Sequence, residues 1–260
     1  MTPAVQQRLL TLIRDFYATV AADFDTTRHG VPAGMIQSLA AAPALPPHAP
    51  LRVLDAGCGN ARLLQALARA FAPKQPIVYW GVESDPTLLA RAQAACAAFD
   101  RGAAQALPGD ILDAHLGLSP AAASALPAHF DVVTCYAVLH HMPGAALRAE
   151  VLRTLARYLA SQGRLLLSTW QFEHSARLRS RMAPWESIGL CAADVEPGDA
   201  LLPWDQGVHA LRYAHNIGIE ELTGLATEAG LIIESTFFAD GHEGNLNLYA
   251  ALARKEQESL

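Results

Sequence analysis

Two rhythms of apolar residues alternate along this chain. Leu9, Leu10, Ile13, Phe16, Tyr17 and Val20 recur at helical spacing within residues 4–22 and predict an amphipathic helix. Short apolar runs of strand length follow at 51–54, 76–83, 130–138 and 164–169. Between them helical spacing returns, first as Leu63, Leu64, Leu67 and Phe71, then as Leu88, Leu89, Ala92, Cys96 and Phe99 behind Asp85-Pro86. A third helix is expected at 144–160, with Ser161-Gln162-Gly163 as its stop. A short strand at 103–107 runs into Gly109-Asp110, and the alanine-rich stretch 118–127 reads as a connection of low complexity. Past residue 170 the alternation lapses until a helix at 219–229. Strands at 231–238 and 246–253 then close the chain, joined by the glycine-containing loop 240–245.

This alternation predicts an α/β fold: a mostly parallel seven-stranded sheet with helices on both faces and a C-terminal antiparallel hairpin. Residues 1–260 read as one domain. An N-terminal cap and proline-rich linker span 1–50, and a core spans 51–170. The irregular stretch 171–216 reads as a lid or substrate segment, and 217–260 hold the last helix and the hairpin.

The 260 residues are 52% hydrophobic and 17% charged, enough for a large core and inconsistent with overall disorder. A formal net charge of −6, with Lys74 and Lys255 the only lysines, does not advertise a nucleic-acid binder. Locally the balance reverses: Arg148, Arg153, Arg157, Arg164, Arg177, Arg179 and Arg181 face only Glu150 and Glu173 over that stretch. Arg148, Arg153 and Arg157 are expected opposite the leucine face of their helix. Arg177, Arg179 and Arg181, beside Trp170 and Trp185, are candidate contacts to phosphates and bases. Cys58, Cys96, Cys135 and Cys191 form no C-x-x-C, and His242-Glu243 lacks the second histidine of H-E-x-x-H, so no metal is predicted. The chain lacks a signal-like start and any run of 18 apolar residues, which predicts a cytoplasmic protein with no membrane partner.

Candidate chemistry concentrates at the strand ends, where parallel sheets bind ligands. Asp55-Ala56-Gly57-Cys58-Gly59-Asn60 ends the first strand, and its two glycines let a ligand approach bare backbone. Asn60 reads as the N-cap of the next helix. The third glycine of a dinucleotide fingerprint is replaced by Arg62, so that reading fails. Glu83 ends the second strand, where a carboxylate can accept both hydroxyls of a ribose, and Asp110 follows the third. Asp85 reads as a helix cap. His140 and His141 follow the fourth strand, either as core or capping residues or as lining of the ligand pocket.

The turn DAGCGN, the strand end GVES, the corner PGD and the strands FDVVTCYAVLHHM and QGRLLLSTW together resemble class I S-adenosylmethionine-dependent methyltransferases over residues 51–170. The resemblance implies a Rossmann-like fold. It also implies S-adenosyl-L-methionine held by Asp55, Gly57, Cys58, Gly59, Asn60, Glu83, Ser84, Asp110, Ile111, Tyr136 and Ala137, with Asp110 receiving the adenine amino group. Ala61 stands where that family usually has a further glycine. A narrower similarity, carried by YATVAADFDTTR at 17–28, VLHHM, LLPW at 201–204, LRYAH at 211–215 and GNLNLY at 244–249, is to the tRNA wobble-uridine methyltransferases. Those enzymes methylate the carboxylate of 5-carboxymethyluridine, accompanied in eukaryotes by a small zinc-containing activator subunit. The similarity implies tRNA as acceptor and such an activator subunit as partner.

A carboxylate nucleophile needs no general base but does need an orienting cation. Arg212 with His215 are the candidates, and His140 joins them as a catalytic candidate. Two alternatives stand beside this reading. One is a methyltransferase for a small-molecule metabolite, with His140, His141 or His215 accepting a proton. The other is a catalytically idle, cofactor-binding partner subunit.

Overall fold

The computed structural model describes the chain apart from residues 27–29, 47, 114 and 256–260. Two helices precede the sheet, α1 (Pro3–Thr26) and α2 (Ala33–Ser38). Strands and helices then alternate as β1 (Leu51–Ala56), α3 (Leu63–Ala70), β2 (Ile77–Glu83), α4 (Pro86–Ala97) and β3 (Gly102–Pro108). The alternation continues through α5 (Pro120–Ala125), β4 (Phe130–Tyr136), α6 (Ala145–Arg157) and β5 (Leu159–Trp170). Beyond lie α7 (Ala176–Arg179), β6 (Asp199–Gln206), β7 (Val208–His215), α8 (Ile219–Glu228), β8 (Leu231–Ala239) and β9 (Asn247–Arg254).

Seven strands form one sheet in the order β3-β2-β1-β4-β5-β9-β8. The first five are parallel, and β9 runs antiparallel to both β5 and β8. The predicted architecture is therefore present. Apolar runs without alternation are the reason: successive residues of a strand face opposite sides, so a strand covered on both faces must be apolar throughout. Val53 packs with Leu67, Tyr79 and Val132 on one face, and Leu54 with Val133, Leu152 and Leu165 on the other. The strand order reverses between β1 and β4, which opens a crevice outside their carboxyl ends.

Several local expectations are corrected. The helix expected at 144–160 stops at Arg157, and Ser161-Gln162-Gly163 lie inside β5. There the register slips between Phe130↔Leu159 and Val132↔Arg164, a bulge that accommodates the polar residues. The alanine-rich connection holds the short helix α5, capped by Ser119. The stretch 171–216 is not irregular throughout, because β6 and β7 pair as a separate antiparallel sheet turning at Gly207 (φ 85°). Pro203 inside β6 masked it, since proline lacks the ladder donor and is unusual within a strand. Asn60 is not a helix cap: α3 begins at Leu63, and Arg62 holds the cap position without a side-chain cap bond. Asp85 does cap α4, its Oδ1 accepting the N–H groups of Thr87 and Leu88 at 2.9 Å.

Helix α1 packs against the β6–β7 hairpin, with Val5 and Leu9 on Tyr213 of β7 and with Phe16 and Val20 on Trp204 of β6. Of the motif at 17–28, Thr27 and Arg28 lie outside the described residues. No helix among the described residues is long and apolar enough to cross a membrane.

Candidate active site

The carboxyl ends of β1, β2 and β4 open into a cavity of about 1160 Å³, closed over by Leu10, Ile13, Arg14 and Tyr17 of α1 and by Arg212 of β7. Asp55, Gly57, Cys58, Glu83, Ser84, Asp110, Ile111, Tyr136 and Ala137, all expected at a donor site, line it. Gly59 and Asn60 do not. Gly59 serves the site indirectly, donating its N–H to Glu83 Oε2 at 2.9 Å.

The turn is held by two amides, Gly57 and Cys58, which both donate to the Val82 carbonyl (2.9 and 3.0 Å). Gly57 has φ 73°, and a Cβ there would lie 2.6 Å from Val138 Cγ2, so glycine is required on two counts. Ala61 is also left-handed (φ 56°), in the place of the family's usual glycine. Glu83 Oε1 accepts the N–H groups of Ser84 and Asp85, both at 2.9 Å. A carboxylate offers about four acceptor sites, so with three amides bound it can still take a hydroxyl. Burial raises its pKa against the pull of those amides. Asp55 accepts from Thr134 Oγ1 (2.6 Å) and Tyr79 Oη (2.8 Å), and burial lifts it to about 6. Asp110 accepts the Leu112 N–H at 3.0 Å and the Arg14 guanidinium at 3.0 Å. Carboxylates at successive strand ends beside a turn with two glycines fit S-adenosylmethionine, with its ribose hydroxyls, adenine amino group and thin linker.

The other end of the cavity is cationic. Arg212 is partly buried, its guanidinium 4.3 Å from the Trp170 ring centre, 5.4 Å from Phe16 and 5.8 Å from Trp204. Its Nε has no hydrogen-bond partner, and among the described residues no carboxylate pairs with it. Burial lowers its pKa to about 10, which still leaves it charged at neutral pH. His141 lies beside it in the wall. A carbonyl can only accept, so His141 Nδ1, 2.8 Å from Tyr213 O, must carry the proton, and Nε2 accepts from Tyr17 Oη at 3.1 Å. His140 accepts the Trp170 N–H on Nδ1 at 3.2 Å and also faces the cavity.

His215 is not in the cavity wall. It is clamped between Asp199 (Nδ1, 2.7 Å) and Glu221 (Nε2, 2.9 Å), and two carboxylate acceptors require both ring nitrogens to be protonated. Burial lowers its pKa, but the two hydrogen bonds outweigh that and the net shift is upward. The role expected of His215 beside the acceptor therefore becomes one of support. Arg148 is likewise corrected: instead of facing solvent it is 1% exposed and forms ion pairs with Glu196 (2.8 Å) and Glu221 (2.9 Å). Glu196, Asp199 and His215 lie close enough to ligate a cation, but the Arg148 guanidinium already supplies one there.

Sequence reasoning passed over Arg62, Arg14 and Asp240, all in the cavity wall. The one available signal for Arg62 was its place at the missing third glycine.

Residues 54–165 match the methyltransferase domain family. A protein from Encephalitozoon cuniculi that carries a methyltransferase name is 28% identical over 178 residues, 68% of this chain and 69% of that protein. Among solved structures, the CcbJ methyltransferase of Streptomyces caelestis superposes with a TM-score of 0.58 at 17% identity, covering 92% of this chain and 96% of that one. An S-adenosylmethionine-dependent methyltransferase of Methanosarcina mazei gives 0.57 at 19% identity, over 79% and 93%. The matched domain and the strand order agree, and the chain has the Rossmann-like fold of class I S-adenosylmethionine-dependent methyltransferases.

Proposed function

We propose that this enzyme methylates a carboxylate, and the observation that carries the reading is Arg212. A guanidinium whose Nε is buried without a partner, and beside which no carboxylate stands among the described residues, is costly unless a ligand supplies the anion. Three aromatic rings hold it in place, so its fork is presented with little loss of entropy. S-adenosylmethionine supplies a methyl group already activated on a sulfonium, so what remains for the protein is alignment. Arg212 orients the acceptor oxygen, and Trp170 and Tyr17 exclude water. Esterification removes the acceptor's charge, which weakens the grip of Arg212 and favours product release.

The acceptor that the sequence motifs name is 5-carboxymethyluridine at the tRNA wobble position, with an activator subunit as partner. A small carboxylic acid is the second reading, and a specific observation favours it. Arg148, Arg153, Arg164 and Arg181 are all in ion pairs with acidic side chains, which neutralises much of the local positive charge. The cavity is also slightly above the usual range of about 300–1,000 Å³ for small-ligand pockets, room for a donor and a modest acceptor.

The test incubates the protein with labelled donor and tRNA bearing 5-carboxymethyluridine, with and without a candidate activator, and separately with a small-molecule extract. Label is expected in a base-labile methyl ester in one pool, and the pool identifies the acceptor. Base-stable label in either pool would overturn carboxylate methylation and favour an acceptor whose proton goes to His140 or His141.

A further inference from the structure

We infer that Arg62 is the anchor for the α-carboxylate of the methyl donor, leaving Arg212 free for the acceptor. Arg62 lines the same cavity, is largely buried, and among the described residues has no ion-pair partner. One donor turn and two unpaired guanidinium groups thus share one space. The strand order assigns each its ligand. Along the carboxyl edge of the sheet stand Asp110 after β3, Glu83 on β2, Asp55 on β1 and Tyr136 on β4, with Trp170 on β5. If Glu83 takes the ribose and Asp110 the adenine, the amino-acid end of the donor extends toward β1, beyond the Gly57 turn. Arg62 stands there, one turn residue before α3. Arg212 and Trp170 lie further along, where the acceptor enters.

The local surroundings match a zwitterion. Tyr249, Asp55, Asp240 and Tyr17 are the groups whose fields reach Arg62, so an ammonium has two carboxylates near it while the carboxylate has one guanidinium. Asp240 is held in place by the Gly34 N–H (3.2 Å), Asn247 Nδ2 (3.0 Å) and Tyr249 Oη (2.6 Å).

The inference rests on the donor being S-adenosylmethionine but not on the identity of the acceptor, and its test needs no acceptor. Calorimetry would compare S-adenosylhomocysteine with 5′-methylthioadenosine, which lacks the amino-acid end, on wild-type protein, Arg62→Met and Arg62→Lys. Losing one charge-assisted contact should weaken homocysteine-analogue binding by about 10- to 100-fold in Arg62→Met. Methylthioadenosine affinity should stay unchanged, Arg62→Lys should lie between, and Arg212→Met should bind both ligands as wild type does. Equal affinity of Arg62→Met and wild type for S-adenosylhomocysteine would overturn the assignment, as would an equal loss for both ligands. If Arg62→Met does not fold, the carboxamide of S-adenosylhomocysteine on wild-type protein reads the same contact. Equal affinity for acid and amide would overturn the assignment too. Wild-type protein that binds no S-adenosylhomocysteine would remove the donor reading and this assignment together.

Discussion

At the scale of single residues, the cavity separates groups that hold a ligand from groups that hold the protein. We propose that Glu83 belongs to the first kind. Three backbone amides fix its carboxylate in place, so Glu83→Gln should fold but lose the charge-assisted bond to ribose, costing about 1.5–3 kcal/mol of donor affinity. Calorimetry on a folded Glu83→Gln protein with unchanged affinity would exclude the contact. Arg212 should behave differently. Arg212→Met is expected to keep donor affinity while kcat/KM for a carboxylate acceptor falls by the equivalent of about 2–5 kcal/mol. Arg212→Lys should recover only part of that loss, because an ammonium lacks the planar fork. Steady-state kinetics beside a donor titration separates the two effects.

Elements decide where those residues stand. The turn after β1 is tightly constrained. In Gly57→Ala the new Cβ would require a left-handed backbone at φ 73° and would press on Val138, so about 1–3 kcal/mol of stability should be lost, together with donor binding. Chemical denaturation of that variant measures the first part. The β6–β7 hairpin carries Arg212, and a cluster of charges at its base ties it to the core. Asp199 and His215 come from the hairpin, Glu196 precedes it, Arg148 sits on α6 and Glu221 on α8. Arg148→Met would leave Glu196 without its ion pair and Glu221 with His215 alone. Because solvent still reaches them, the cost should be about 2–3 kcal/mol, below that of a fully buried pair.

The same cluster makes hairpin anchoring sensitive to pH. His215 has its folded pKa raised above 6.5, so the stability its charge contributes is complete below about pH 6.5. It is lost as pH rises through the raised value. Glu221 is shifted the other way, downward, by its bonds to His215 and Arg148 against the effect of burial, so it remains charged throughout that window. Melting temperature should therefore decline as pH rises from neutrality, and His215→Gln should flatten the decline. An unchanged profile in His215→Gln would place the titrating group elsewhere.

For the whole molecule, charge decides how an acceptor is recruited. With a net charge of −6 and four of the local arginines paired, few phosphates could be neutralised. Each phosphate contact to a single strand contributes about −0.7 to the slope of log affinity against log salt. A slope shallower than about −3 is expected for tRNA, and a steeper one would restore Arg177, Arg179 and Arg181 as a phosphate anchor. Filter binding across a salt series measures it.

Much of this protein is written locally. Apolar runs buried on both faces, the glycine turn after β1 and the acidic residue closing β2 depend on periods of two and 3.6 residues and on backbone sterics, which a sequence displays directly. So the sheet and the strand-end residues that line the cavity were legible in advance, while the wall that α1 and the loop after β8 supply was not. What tertiary structure alone decided involves groups distant in sequence. Arg148 lies buried because α8 and the hairpin meet α6, and His215 turns from the acceptor because Asp199 and Glu221 enclose it. Arg212 enters the cavity because α1 and the β6–β7 hairpin pack their aromatic faces together. A helical or strand period records which face a residue occupies but not which charge meets it across the fold. Desolvation and pairing, which set the roles of Arg148, His215 and Arg212, exist only once those distant surfaces have met.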